Sequence, residues 1–164
     1  RGLGDVYKRQ DMKGEQFNDI EGNKVDPVSY TKKILKENPY VDIHIGTDSQ
    51  SKAKKTLFTT VIAYRYGNRG VHYILSKIGL PKIKDMWTRL WKEAELSINI
   101  SELITNTIDI PIEIDMDYNE SDNFKSHKLV AATKGWANSL GYKVNVKPNN
   151  QIATKAADHH CKKF

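Results

Sequence analysis

Four acidic residues, Asp48, Glu93, Asp115 and Asp158, carry the strongest chemical signal in this chain. Asp48 stands near the end of Val41-Asp42-Ile43-His44-Ile45-Gly46-Thr47-Asp48-Ser49-Gln50, where a short β-branched strand passes a small residue and delivers one carboxylate. The other three fall on elements that a sheet can bring beside it. A strand-borne Asp joined by distant carboxylates builds a cage for hard divalent cations, because Mg²⁺ and Mn²⁺ take oxygen ligands and leave positions for phosphate oxygens. Carboxylates gathered this closely repel one another unless ions compensate them or some of them protonate. Each also has a plainer role to set against that one. Asp48 can accept turn hydrogen bonds from Ser49 and Gln50, and Asp158 can face solvent. Glu93 can lie on a solvated helix face, where Glu95 competes for the same task. Asp115 and Asp117 share one face of their strand, so alternation does not choose between them.

The elements that must position these residues follow from local pattern. Asp26-Pro27 is a helix start, a capping carboxylate before proline, and the helix ends at Asn38-Pro39. Tyr40 to Gly46 is the strand that leads to Asp48. Leu57 to Tyr66 and Val71 to Ile78 form a hairpin across Gly67-Asn68-Arg69-Gly70, with Pro81 at its exit. Asp85 to Ile104 reads as a helix with Trp87, Leu90, Trp91, Ala94 and Ile98 at helical spacing, and both tryptophans are expected in the core. Ile108 to Tyr118 alternates, with Ile110, Ile112, Ile114 and Met116 on one face and Glu113, Asp115 and Asp117 on the other. Ser121 to Leu140 is an amphipathic helix closed by Gly141, Tyr142 to Lys147 a short strand, and Gln151 to Lys163 a terminal helix. Asp11 to Lys24 is polar, punctuated by glycine, and expected to be loose. The order predicts an α/β fold: a mixed five-stranded sheet with helices on both faces, the early strands antiparallel and the later ones joined by helical crossovers.

Composition sets the frame. At 164 residues, with 38% apolar and 28% charged residues, the chain fits one soluble globular domain. No apolar run approaches the roughly 18 residues of a membrane span, and Gly2 to Asp19 lacks the apolar core of a signal peptide. Cys161 is the single cysteine, which rules out an internal disulfide and points to a reduced, cytoplasmic setting. Arg1 to Gln10 has no helix or strand period and looks like translated adapter sequence, a non-native leader. Removing its three basic and one acidic residue lowers the net charge from +6 to +4. The division expected is 1–10 leader, 11–39 N-terminal extension and helix, and 40–164 the main domain. The basic balance favours polyanions such as nucleic acid. Lys52, Lys54 and Lys55 are candidate phosphate contacts on a connection, and His127 and Lys128 are candidates one turn into a helix. His44 reads as structural. Asp158-His159-His160-Cys161 spells a palmitoyltransferase motif without the membrane spans or zinc domain those enzymes need. A zinc site there is disfavoured because adjacent helical residues diverge. Walker loops, dinucleotide-binding glycine fingerprints and Gly-x-Ser-x-Gly elbows are absent from the sequence.

Ile45-Gly46-Thr47-Asp48-Ser49-Gln50, Lys92-Glu93-Ala94-Glu95-Leu96-Ser97, Ile112-Glu113-Ile114-Asp115 and Val146-Lys147-Pro148 before Ala156-Ala157-Asp158 together carry a resemblance. Over about Tyr40 to Lys162 the chain resembles the YkuK-like family of ribonuclease H-like proteins. The Gly-Thr-Asp-Ser-Gln block is its most specific part, and the Ala-Asp pair looks more like the final motif of ribonuclease H itself. The resemblance implies a ribonuclease H-like fold and two-metal phosphodiester hydrolysis with two Mg²⁺ or Mn²⁺ ions. Asp48 would bridge both ions, Glu93 and Asp115 would ligate one, and Asp158 the other. The implied substrate is nucleic acid, either RNA of an RNA–DNA hybrid or structured DNA, with no membrane or disulfide-linked partner. The rival class is a non-catalytic nucleic-acid-binding module on the same fold. Family position favours Asp115 over Asp117.

Overall fold

The computed structural model describes residues 16–119, 124–147 and 156–157. In chain order these form β1 (Phe17–Asn18), β2 (Lys24–Val25), α1 (Pro27–Glu37), β3 (Asp42–Ser51), β4 (Lys55–Arg65), β5 (Val71–Pro81), α2 (Met86–Thr105), β6 (Ile112–Asn119), α3 (Phe124–Ser139) and β7 (Lys143–Lys147).

Local chemistry sets most of these boundaries. Asp26 accepts a hydrogen bond from the Ser29 amide and caps α1, with Pro27 at the first helical position and Asn38 at the close. Asp85 caps α2 in the same way through the Thr88 amide. The β4–β5 turn needs two left-handed residues, and Gly67 (φ 57°) and Gly70 (φ 119°) supply them. The turn holds β4 and β5 in continuous antiparallel register from Lys55–Pro81 to Arg65–Val71.

The sheet has seven strands in the order β2-β1-β5-β4-β3-β6-β7. Strands β3, β4 and β5 are antiparallel neighbours. β6 lies parallel to the free side of β3, and β7 parallel to β6. The five expected strands form its body, and the two extra ones are a correction. Phe17 pairs with Ser76 of β5 and Val25 with Phe17, so part of the stretch expected to be loose extends the sheet edge. Phe17 is only 1% exposed and belongs to the core. Two-residue strands are too short to show a period, so alternation gives no sign of them.

Strand alternation divides the side chains between two faces. Ile43, Ile45, Thr47 and Ser49 of β3 face the helices. On that face Tyr64 bonds Thr31 of α1 (2.7 Å), Thr47 bonds Ser97 of α2 (2.8 Å), and Trp91 of α2 stacks on Trp136 of α3 with centroids 5.4 Å apart. Ile45, Ile62 and Ile114 are wholly enclosed there, each contributing on the order of 1.5–3 kcal/mol. His44, Gly46 and Asp48 look the other way. That face carries Val61, Ala63 and Leu75, covered by the helical turn at Ala156 and Ala157. Among the described residues, α1, α2 and α3 thus pack on the first face and the helical residues 156–157 lie on the second.

Trp87 departs from its expected core position: it is 40% exposed, beside Met86 at 59%. Both lie on the first turn of α2, ahead of Glu93, the first buried residue along it. Among the described residues, no helix is long and apolar enough to cross a membrane.

Candidate active site

Of the four candidate carboxylates, Asp48 lies on β3, Glu93 on α2 and Asp115 on β6, the parallel neighbour of β3. Asp48 pairs with Thr59 of β4 and is partly exposed, on the face shared with His44. Ser49, one residue on, turns to the helix face and donates its hydroxyl to Glu93 of α2. Arg89, one helical turn before Glu93, donates Nε to the Ser49 hydroxyl (2.7 Å) and Nη2 to the Ser49 carbonyl (3.2 Å). Glu93 is thus drawn to β3 through Ser49. Burial pushes its carboxyl well above the usual range. The Ser49 hydrogen bond and Arg89 work against that rise, and the charges of Asp48 and Asp117 reinforce it. Glu95, its competitor in sequence, sits at the surface in an ion pair with Lys92 (3.2 Å).

Asp115 stands opposite Gly46 in the parallel ladder and is 1% exposed. Its Oδ1 accepts from Asn145 Nδ2 of β7 (2.9 Å) and faces His44 Nδ1 (3.2 Å). The other nitrogen of His44 faces Glu113 at 3.3 Å, and Glu113 in turn meets Asn145 (3.2 Å) and Lys143 (3.4 Å). Both ring nitrogens of His44 confront carboxylates, and both donate only as an imidazolium. Burial opposes that charge, but Asp115, through its hydrogen bond and its charge, outweighs burial together with Glu113 and Asp42, and the pKa of His44 is raised. Glu113 moves the other way: burial would raise it, but the Asn145 hydrogen bond, His44 and Lys143 lower it. The two nitrogens point to opposite sides of the ring, so this cluster is an ion-pair network without a common point for a metal.

The choice between Asp115 and Asp117 divides by neighbourhood. Register shifts between Met116 and Asn119, and such an irregularity breaks strict alternation. Asp117 lines a cavity of about 10 Å³ with Thr47, Glu93, Ala94, Ser97, Asp115 and Met116. Asp158 lies outside the described residues, as do His159, His160 and Cys161. Ala157, its neighbour in sequence, is buried on the Asp48 face. Lys54 and Lys55 are exposed and Lys52 partly so at the β3–β4 turn, which the Lys52 amide closes onto the Lys55 carbonyl (2.8 Å). His127 and Lys128 are exposed on the first turns of α3. Ser49, Arg89 and Asn145 were not singled out in sequence. The spacing of Arg89 and Glu93, four apart on one helix, was the available signal for one of them.

The body of the sheet, β5-β4-β3-β6-β7 with β4 alone antiparallel to the rest, has helical residues on both faces and acidic residues beside its central strand. Residues 27–162 match the family described as Ribonuclease H-like. The chain belongs to that family. This ribonuclease H-like domain is of the YkuK-like kind that the motifs resemble, and the relationship makes it a nucleic-acid-related domain. No curated protein matches the chain. The match begins at the first residue of α1, so that helix is part of the ribonuclease H-like unit.

The donor set of the ribonuclease H-like site fits hard cations in kind. All polar side chains lining the cavity beside Glu93 offer oxygen, the ligand Mg²⁺ and Mn²⁺ prefer. In placement, no group of three or more His, Cys, Asp or Glu side chains among the described residues is arranged to hold a metal ion.

Proposed function

We propose that this domain hydrolyses phosphodiester bonds in nucleic acid with the help of two Mg²⁺ or Mn²⁺ ions. The observation that supports this reading is the crowding of acid around Glu93: a buried carboxyl next to the charges of Asp48 and Asp117. Such crowding is costly unless cations or protons compensate it. Asp48, Glu93, Asp115 and Asp158 are the residues that would hold the ions. The ions would supply an activated water and stabilisation of the leaving oxygen. The chain's own groups do the positioning. Ser49 and Arg89 fix the carboxyl of Glu93 against β3, and His44 with Asn145 fixes that of Asp115. Lys52, Lys54 and Lys55, with His127 and Lys128, are the proposed phosphate contacts. The substrate is RNA of an RNA–DNA hybrid or structured DNA.

A second reading is a non-catalytic nucleic-acid-binding module. It is favoured by the hydrogen bonds that already engage Glu93 and Asp115 and by the lack of a three-ligand set among the described residues. Incubating the protein with labelled hybrid, duplex and single-stranded substrates, in Mg²⁺, Mn²⁺ or EDTA, separates the two. Metal-dependent cleavage supports the nuclease; binding to nucleic acid without cleavage under any metal supports the module.

A further inference from the structure

The β3–β4 turn, the β5–α2 connection and the first turn of α2 lie against one another. The Ile83 amide donates to Thr56 Oγ1 (2.9 Å), which ties the connection to the start of β4. Lys55 pairs with Pro81 across the β4–β5 ladder. Arg89 reaches the Ser49 carbonyl (3.2 Å), which ties α2 to the end of β3. These contacts set Lys52, Lys54 and Lys55 on one segment beside Lys82 and Lys84 on the next. Asp85, the carboxylate within this stretch, is turned into the helix, where it accepts from the Thr88 amide (2.9 Å) and hydroxyl (2.7 Å). Trp87, three residues past Lys84 on the first turn of α2, is 40% exposed.

A cationic rim alone attracts any polyanion. An exposed indole close in sequence to Lys82 and Lys84 narrows the choice, because a base can stack on it only where that base is not already stacked within a duplex. We propose that this rim is a docking surface for single-stranded nucleic acid, with an unpaired base on Trp87 and the backbone phosphates along Lys52, Lys54, Lys55, Lys82 and Lys84. The proposal deepens the nucleic-acid reading above and rests on it: it adds a site for the unpaired stretch that flanks or interrupts a structured substrate and makes Trp87 a binding residue.

The test is equilibrium binding in EDTA of a fluorescent oligothymidylate of about 12 nucleotides, a length within the usual footprint of a single-strand site. A blunt duplex of the same length is the comparison. Trp87→Ala should weaken single-strand binding on the order of tenfold, and Trp87→Phe should restore most of it. Lys82→Ala with Lys84→Ala should flatten the salt dependence, since fewer phosphate contacts release fewer counterions. Duplex binding should be weaker and indifferent to Trp87. Failure of the wild-type protein to bind the oligonucleotide overturns the proposal, as does unchanged binding by Trp87→Ala or a duplex that binds as tightly with the same Trp87 dependence. Should Trp87→Ala fail to fold, Trp87→Phe and the double lysine variant decide between these outcomes through affinity and salt slope. Cleavage is not needed for any of these measurements. Trp87-dependent binding without cleavage would sink the nuclease reading alone, and cleavage with Trp87-independent binding would sink this one alone.

Discussion

Glu93 accepts the hydroxyl of Ser49 while Asp48, one residue earlier, leaves β3 on the opposite face, and the two carboxyls still feel each other's charge. The site is thus split across the sheet, with Glu93 under α2 and Asp48 and Asp115 on the face closed by the turn at Ala156 and Ala157. Asp48 and Glu93 meet β3 from its two sides, so a substitution at either changes charge as well as any chemistry.

Asp48→Asn should abolish metal-dependent cleavage and leave the fold intact. Asn keeps the shape but offers only a neutral oxygen where two dications need full negative charge. In metal-free buffer the melting temperature should hold or rise, since one of the charges that disfavour ionised Glu93 is gone. Melting curves with and without Mg²⁺, run beside the cleavage assay, measure both. Cleavage at the wild-type rate would rule out Asp48 as a bridging ligand.

Glu93→Gln should stabilise the metal-free protein at neutral pH. The native state keeps a proton on Glu93 at pH values where the unfolded chain has released it, because the folded carboxyl lies well above its ordinary 4.5. The stability tied to that proton is complete below the unfolded value and is lost as pH rises through the raised native one. Gln has no proton to lose, so its stability should fall less from pH 4.5 upward. Each unit of displacement corresponds to about 1.4 kcal/mol, roughly 3–6 °C for a domain of this size. Parallel pH profiles for the two proteins would contradict the assignment.

His44→Ala should cost roughly 3 kcal/mol, the order expected when one partner of a buried charged pair is removed. Glu113 and Asp115 would then lose the ring that lies between them, while keeping their contacts to Asn145 and Lys143. The pKa of His44 is raised, so its stabilisation is fully present below the unfolded value of 6.5 and fades as pH rises through the native one. Denaturant titrations at several pH values should therefore show the largest loss on the acidic side of that value. A loss that grows as the solution becomes alkaline would refute the imidazolium assignment.

Replacing Lys52, Lys54 and Lys55 together with Gln should reduce the slope of log affinity against log salt by about 2 to 3 for a nucleic-acid ligand, close to one unit per lost phosphate contact. Affinity measured across a salt series reads this directly. An unchanged slope would move the backbone contacts to the neighbourhood of His127 and Lys128.

What the sequence determined alone is the part written in short-range chemistry. Asp26 before Pro27 began a helix because a side-chain oxygen and a proline suit its open amides. Gly67 and Gly70 bracketed a hairpin because only glycine takes their backbone angles cheaply. Alternation along Ile112 to Met116 separated core from charge, as the sheet bears out. The tertiary structure alone decided which carboxylates meet. Ser49 reaches Glu93 across 44 positions, and Asn145 and His44 reach Asp115 across 30 and 71. No period encodes such distances, because they depend on which strands pair and in what register. The same holds for Phe17, buried by a two-residue strand, and for Trp87, whose helical spacing matches a core residue. Trp87 is exposed because it precedes the buried stretch of α2 that opens at Glu93, and only the packing of whole elements sets where that stretch begins.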